Sequence, residues 1–210
     1  MGVFHFLSCN PNLIAQACHT ILIFSAFWIG MPYAKGDWLM GLSYYQQEKY
    51  RKAIHELSAE IKDNPEDVLF NRILGLSYYQ LKDYSKAEIF LRKAGALQPD
   101  FQVALDLAKV HVRRSDYDVA LQTLEESRGL IRTKQERFQF HYTFGSVLMV
   151  QGELSKARSH FKKAEVFAGK APRLYLQIGT LEYNQGNLSE ALVALERSLE
   201  IDSRQPQVMI

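Results

Sequence analysis

The sequence predicts an all-α fold: a solenoid of about five helix-turn-helix repeats, preceded by an apolar N-terminal helix. Three observations carry that expectation. Leu74-Gly75, Tyr78, Tyr84, Ala87, Leu91, Ala94 and Pro99 restate a pattern found 34 residues earlier, in Met40-Gly41, Tyr44, Tyr50, Ala53, Leu57 and Pro65. Within each unit the apolar residues recur at helical spacing, as in Tyr50, Ala53, Leu57 and Ile61. Asp63-Asn64-Pro65 and Gln98-Pro99-Asp100 then close the first two units, because proline disfavours helical geometry in the residue before it. A fixed period of this size marks stacked units rather than one globular core.

The N-terminal segment comes first. Residues 1–34 contain no Asp, Glu, Lys or Arg, and the first charged side chain is Lys35. The run from Leu13 to Ala34, LIAQACHTILIFSAFWIGMPYA, has the composition of a secretory signal or a single membrane span. Export or membrane anchoring, with attachment through residues 13–34, is therefore expected; a cytoplasmic chain whose apolar helix packs on the first repeat is the alternative. Ala34 suits a cleavage site, whereas Pro32 and the uncharged leading stretch suit retention. The cysteines, Cys9 and Cys18, both lie in this segment, so the repeats can hold no disulfide framework or four-cysteine zinc site.

The repeats follow at about residues 34–67, 68–101, 101–134, 138–171 and 172–205, with a short tail at 206–210. In the first, helices are expected over about Asp37 to Gln47 and Tyr50 to Lys62. Glycine or alanine in the first helix and alanine in the second let the two axes approach closely. Tyr50, Tyr84, Tyr117, Leu154 and Leu188 fill the space beside them. The third repeat is the least regular: Ala108 replaces the glycine and His111 the aromatic. From Ala120 to Ala157 the interval stretches to 37 residues, which places an insertion near Thr133-Lys134-Gln135-Glu136, in a loop that absorbs it cheaply. Gly145 and Gly152 mark the fourth repeat, Gly179 and Gly186 the fifth, and Pro172 suits the start of a helix.

Charge narrows the functional classes. With 25 basic and 23 acidic residues the net charge is +2, and no dense basic block exists to bind nucleic acid. The histidines fall in no metal-ligand spacing such as H-E-x-x-H, and there is no P-loop, dinucleotide fingerprint or nucleophile elbow. No catalytic residue, metal or cofactor is expected.

The pattern Leu74-Gly75, Tyr78, Ala87, Ala94 and Pro99, with its counterparts over residues 34–205, resembles the tetratricopeptide repeat family. Departures are Asp37 and Asn71 where the family often has tryptophan, Glu60 for the late alanine, and the weakened third repeat. The resemblance implies a right-handed superhelix whose concave face is lined by first helices and holds peptides or partner helices, as a scaffold or adaptor and not a catalyst.

Helical spacing then gives the side chains expected in the groove. These are Trp38, Leu42 and Tyr45 in the first repeat, Arg72, Leu76 and Tyr79 in the second, and Leu105, Lys109 and Arg113 in the third; Tyr142, Arg173 and Tyr183 follow in the last two. Tyr, Trp and Arg combine large contact area with a polar handle, which suits interface anchors. An apolar groove rimmed by basic groups suits an extended peptide or amphipathic helix with some acidic character. Leu42 and Leu76 occupy positions that are polar in the family's carboxylate-binding co-chaperones, so that clamp is not expected here. The fifth repeat is followed by no polar capping helix, which suggests self-association or another partner at that edge, or a chain that is a fragment of a longer protein. The leading expectation is a scaffold that helps assemble an envelope or membrane-associated complex. A cytosolic or organellar adaptor, or the repeat region of a larger enzyme such as a repeat-bearing glycosyltransferase, are the alternatives.

Overall fold

The structure is a computed structural model that describes residues 38–202. The apolar segment expected to export or anchor the chain and the tail at 206–210 lie outside the described residues. The described chain is all helical: α1 (Trp38–Gln46), α2 (Tyr50–Asp63), α3 (Val68–Gln80), α4 (Tyr84–Leu97), α5 (Phe101–Arg113), α6 (Tyr117–Glu126), α7 (Lys134–Val150), α8 (Leu154–Phe167), α9 (Pro172–Asn184) and α10 (Leu188–Ile201). Each odd-numbered helix packs against the even-numbered helix that follows it, giving five pairs. Among the described residues no helix is long and apolar enough to cross a membrane.

Close approach within a pair comes from the small residues. A Cβ on Gly75 would lie 2.7 Å from Leu91 Cγ, and one on Gly145 would lie 2.8 Å from a Phe161 ring carbon. The facing alanines Ala53, Ala87, Ala120 and Ala157 are fully buried. In the third pair Ala108 replaces the glycine and packs in one cluster with Ala120 and Leu124.

Each pair turns through the same backbone device. The N–H of the residue just before the second helix reaches back to a carbonyl five residues earlier: Lys49 to Tyr44 at 2.8 Å, Asp83 to Tyr78 at 3.0 Å, and Asp116 to His111 at 2.9 Å. Glu153 to Leu148 and Asn187 to Glu182 repeat the bond at 2.9 Å. This closure puts the intervening residue in the left-handed region. Gly152 and Gly186 occupy it at φ near 80°, but Glu48, Lys82 and Ser115 take the same conformation at 59°, 63° and 65°.

Between pairs, caps and buried clusters join the array. Asp67 and Asp100 accept backbone N–H bonds at the starts of α3 and α5, satisfying donors that a helix start leaves free. Asn71 is fully buried and donates to the carbonyls of Pro65 (3.0 Å) and Asp67 (2.7 Å), tying the preceding turn to α3. Leu57 of α2 packs with Phe70 and Leu74 of α3, so each hydrophobic cluster spans a repeat boundary.

The expected loop insertion is instead helical. Thr133 and Glu136 form a reciprocal capping box, and α7 runs for 17 residues where α3, α5 and α9 have 13. Extra residues that carry their own cap extend a helix rather than bulge from a turn. On the other side α6 is short, and a 3-10 turn at Ser127–Leu130 completes it.

Candidate functional site

Each first helix also touches the first helix of the next repeat, α1 to α3, α3 to α5, α5 to α7 and α7 to α9. That arrangement lines side chains of successive repeats along one face. On the first three repeats the face opens into a pocket of about 300 Å³ lined by Tyr45, Arg72, Leu76, Tyr79, Gln80, Asp106 and Lys109. Five of these, Tyr45, Arg72, Leu76, Tyr79 and Lys109, are sequence-expected groove residues.

The aromatic walls are braced from behind. Tyr45 meets Tyr50 edge-on at 5.8 Å, and Tyr79 meets Tyr84 at the same separation. Each pair thus runs from the end of a first helix to the start of its partner. Arg113 donates through Nε to Tyr79 Oη at 3.2 Å, linking α5 to α3 beside the pocket.

Asp106 is the polar centre and was not among the expected residues. Its Oδ2 accepts from Arg72 Nη2 at 3.0 Å and its Oδ1 from Lys109 Nζ at 2.9 Å. The Asp106 side chain is only 5% exposed. A buried carboxylate is tolerable only when paired and hydrogen-bonded, and here it has two cations. Burial, and next the Asp106 carboxylate, push the Tyr45 hydroxyl above its ordinary pKa, so it remains a protonated donor. The signal for Asp106 was present, since opposite charges stand 34 residues apart at Arg72 and Asp106.

The other expected groove residues divide. Leu42 is half-buried on α1. Trp38 packs against Phe70, ring centres 6.1 Å apart, at a repeat boundary. Leu105 is 2% exposed and belongs to the core with Phe101 and Ala108, so it does not line the groove. Its position borders the core: an arginine there, as at Arg72, extends outward along its stem, whereas a leucine turns inward. Tyr142 stacks on Phe138 at 5.7 Å and packs on the Phe161 cluster. Arg173 lines a separate cavity of about 480 Å³ with Phe138 and Pro172. Tyr183 is exposed on α9, and Leu188 and Leu192 are exposed on α10.

A second polar cluster escaped the sequence reading. His141 of α7 and His160 of α8 bring their Nδ1 atoms to 3.4 Å, with Phe144 stacked 4.3 Å from His160 and Phe167 stacked 6.1 Å from His141. Burial depresses both imidazoles, His160 to about 4. Among the described residues no group of three or more His, Cys, Asp or Glu could hold a metal ion.

Stacked helix pairs, with a pocketed face built from successive first helices, define a helical-repeat protein-interaction scaffold. Tetratricopeptide repeat models match residues 39–100, 105–172 and 172–205, and the chain belongs to the tetratricopeptide repeat family. Among solved structures it is similar to PilW, a widely conserved type IV pilus biogenesis factor, at 15% identity over 80% of this chain and 77% of that one, TM-score 0.73. MamA from Desulfovibrio magneticus RS-1 is similar at 17% identity, over 82% of this chain and 99% of that one, TM-score 0.69. YrrB, a tetratricopeptide repeat protein with an unusual peptide-binding site, is similar at 18% identity, over 90% and 95% of the two chains, TM-score 0.62. At these identities the likeness is one of fold. No curated protein matches the sequence.

Proposed function

We propose that the chain is a non-catalytic scaffold that holds an extended or helical segment of a partner protein against its first helices. The observation that carries this reading is the pocket of about 300 Å³ on the first three repeats, where two tyrosines, a leucine and paired charges converge from three successive first helices. Aromatic walls with a polar centre offer both contact area and orientation to a bound segment. Self-association through the exposed Leu188 and Leu192 face of the fifth repeat belongs to the same reading; a mass independent of concentration in light scattering counts against it.

We further propose that the scaffold acts in assembling an envelope or membrane-associated complex, exported or anchored through residues 13–34. The uncharged apolar run supports export or anchoring. The fold shared with PilW, a pilus biogenesis factor, supports the assembly role.

Site-specific photo-crosslinking tests the groove. A photoreactive residue at Leu76 is expected to capture a discrete partner, while one at Val166, exposed on α8, is expected to capture none. Equal capture at both positions would defeat the groove assignment. Intact masses of the soluble and membrane fractions test the location: a full-length soluble species would sink export and anchoring together.

A further inference from the structure

The pocket over Asp106 has many more hydrogen-bond donors than acceptors. Both Asp106 oxygens are occupied, Oδ2 by Arg72 and Oδ1 by Lys109, with Gln102 Nε2 a further 3.4 Å contact to Oδ1. At 5% exposure the carboxylate has little left for a ligand. Its partners keep hydrogens to spare, because an ammonium carries three donors and a guanidinium five. The Lys109 side chain is 44% exposed and that of Arg72 31%. Tyr79 Oη already accepts from Arg113, which leaves its own hydrogen free to donate. Arg72 and Lys109 both pair with Asp106, and Arg113 stands beside Tyr79, so this face carries three cations to one carboxylate.

We propose that this pocket takes an acidic side chain of the partner segment. Lys109, Arg113 and the Tyr45 and Tyr79 hydroxyls hold the carboxylate, and Leu76 supports the adjoining apolar residues. Asp106 is the built-in counter-ion that competes with the ligand for Arg72 and Lys109. The proposal rests on the groove reading above and names the chemistry that groove selects. A basic side chain would meet the cationic excess, and a neutral one would desolvate cations without pairing them. An acidic one offers about four acceptor sites to the unused donors.

The probe is a phage-displayed random dodecapeptide library, selected on the full chain. Recovered peptides are then synthesised and titrated against wild type and variants by fluorescence anisotropy. The expected peptides carry Asp or Glu beside apolar residues and bind in a manner that Tyr79→Ala abolishes. Replacing the acid by its amide, or Lys109→Gln or Arg113→Gln in the protein, is expected to weaken binding about tenfold, with a clear salt dependence. Asp106→Asn removes the opposing charge while leaving an acceptor for Arg72, and is expected to tighten the acidic peptides; looser binding by the folded variant overturns the counter-ion role. If Asp106→Asn does not fold, the Lys109 and Arg113 variants decide alone. Peptides that depend on Tyr79 but tolerate the amide replacement would overturn this inference and leave the groove reading standing. Recovery of no Tyr79-dependent peptide would overturn both.

Discussion

Arg72 and Asp106 lie 34 residues apart and meet at 3.0 Å across two neighbouring first helices. The contact joins one repeat to the next at the floor of the pocket, so it serves the array and the groove together. Removing one partner is more harmful than removing both, because truncating Arg72 leaves a mostly buried carboxylate with Lys109 as its one remaining charged partner. Arg72→Ala is expected to cost about 1–2 kcal/mol, between the ranges for exposed and buried pairs. A double-mutant cycle with Asp106→Ala, followed by urea unfolding, is expected to recover a coupling of about 1 kcal/mol. Additive single effects would show that the bridge is not a stabilising link.

The glycine contacts make a sharper prediction. Gly75→Ala places a Cβ within 2.7 Å of Leu91 Cγ and 3.2 Å of the Ala87 carbonyl oxygen. Leu91 is fully buried, so it can yield only by displacing its core neighbours or by parting the two helices. Overpacking of this kind costs about 1–3 kcal/mol. Thermal unfolding should show a lower midpoint for Gly75→Ala, while Gly129→Ala, which meets nothing within 4 Å, should not shift it through packing. An unchanged midpoint for Gly75→Ala would remove close approach as the reason for the glycine.

These packing features were legible in the sequence because they repeat. Gly41, Gly75, Gly145 and Gly179 recur at the same step as the buried Ala53, Ala87, Ala157 and Ala191, and both follow from pairing the same two helix faces. The groove was legible only in part. Periodicity shows which face of α5 turns toward α3, but it does not resolve a rotation of one residue between Leu105 and Asp106. That rotation decides which side chain is core and which is counter-ion. His141 and His160 were missed for a related reason: they stand 19 residues apart on different helices, at a spacing no local motif describes. The lengthened α7 was hidden because a change of period reveals that residues were added, not whether they form a helix or a loop.

The left-handed turn residue gives a test that can stabilise the protein. Lys82 is held at φ 63°, a conformation in which an L side chain costs about 1–2 kcal/mol relative to the usual helical region. Glycine removes that strain but adds chain entropy to the unfolded state. Lys82→Gly is therefore expected to raise stability by about 0.5 kcal/mol, as the difference of the two effects. For Gly186→Ala both effects change sign, and its Cβ meets nothing within 4 Å, so stability should fall by about 0.5 kcal/mol. Calorimetry of both variants checks the pair of signs, and a destabilising Lys82→Gly would refute the strain argument.

Acid should loosen the fourth repeat through His141 and His160. The charged and titratable groups acting on them are Glu125 and Arg128 from the preceding repeat, Arg137 on α7 and Lys163 on α8. Burial comes first in holding His160 at about 4, below its ordinary 6.5, followed by His141 and Lys163. Between those two values the unfolded chain binds more protons than the folded one, so stability rises with pH across the window and falls as the solution is acidified through it. Two protonated imidazoles with facing nitrogens 3.4 Å apart would also repel each other. The wild-type melting temperature should therefore decline from pH 6.5 toward pH 4. His160→Phe, which keeps a ring beside Phe144, should make that decline shallower. The comparison must be made as a difference between the two proteins, because burial also lowers the pKa of His111 and gives both the same background slope. Parallel curves for wild type and His160→Phe would show that the histidine pair contributes nothing to acid sensitivity.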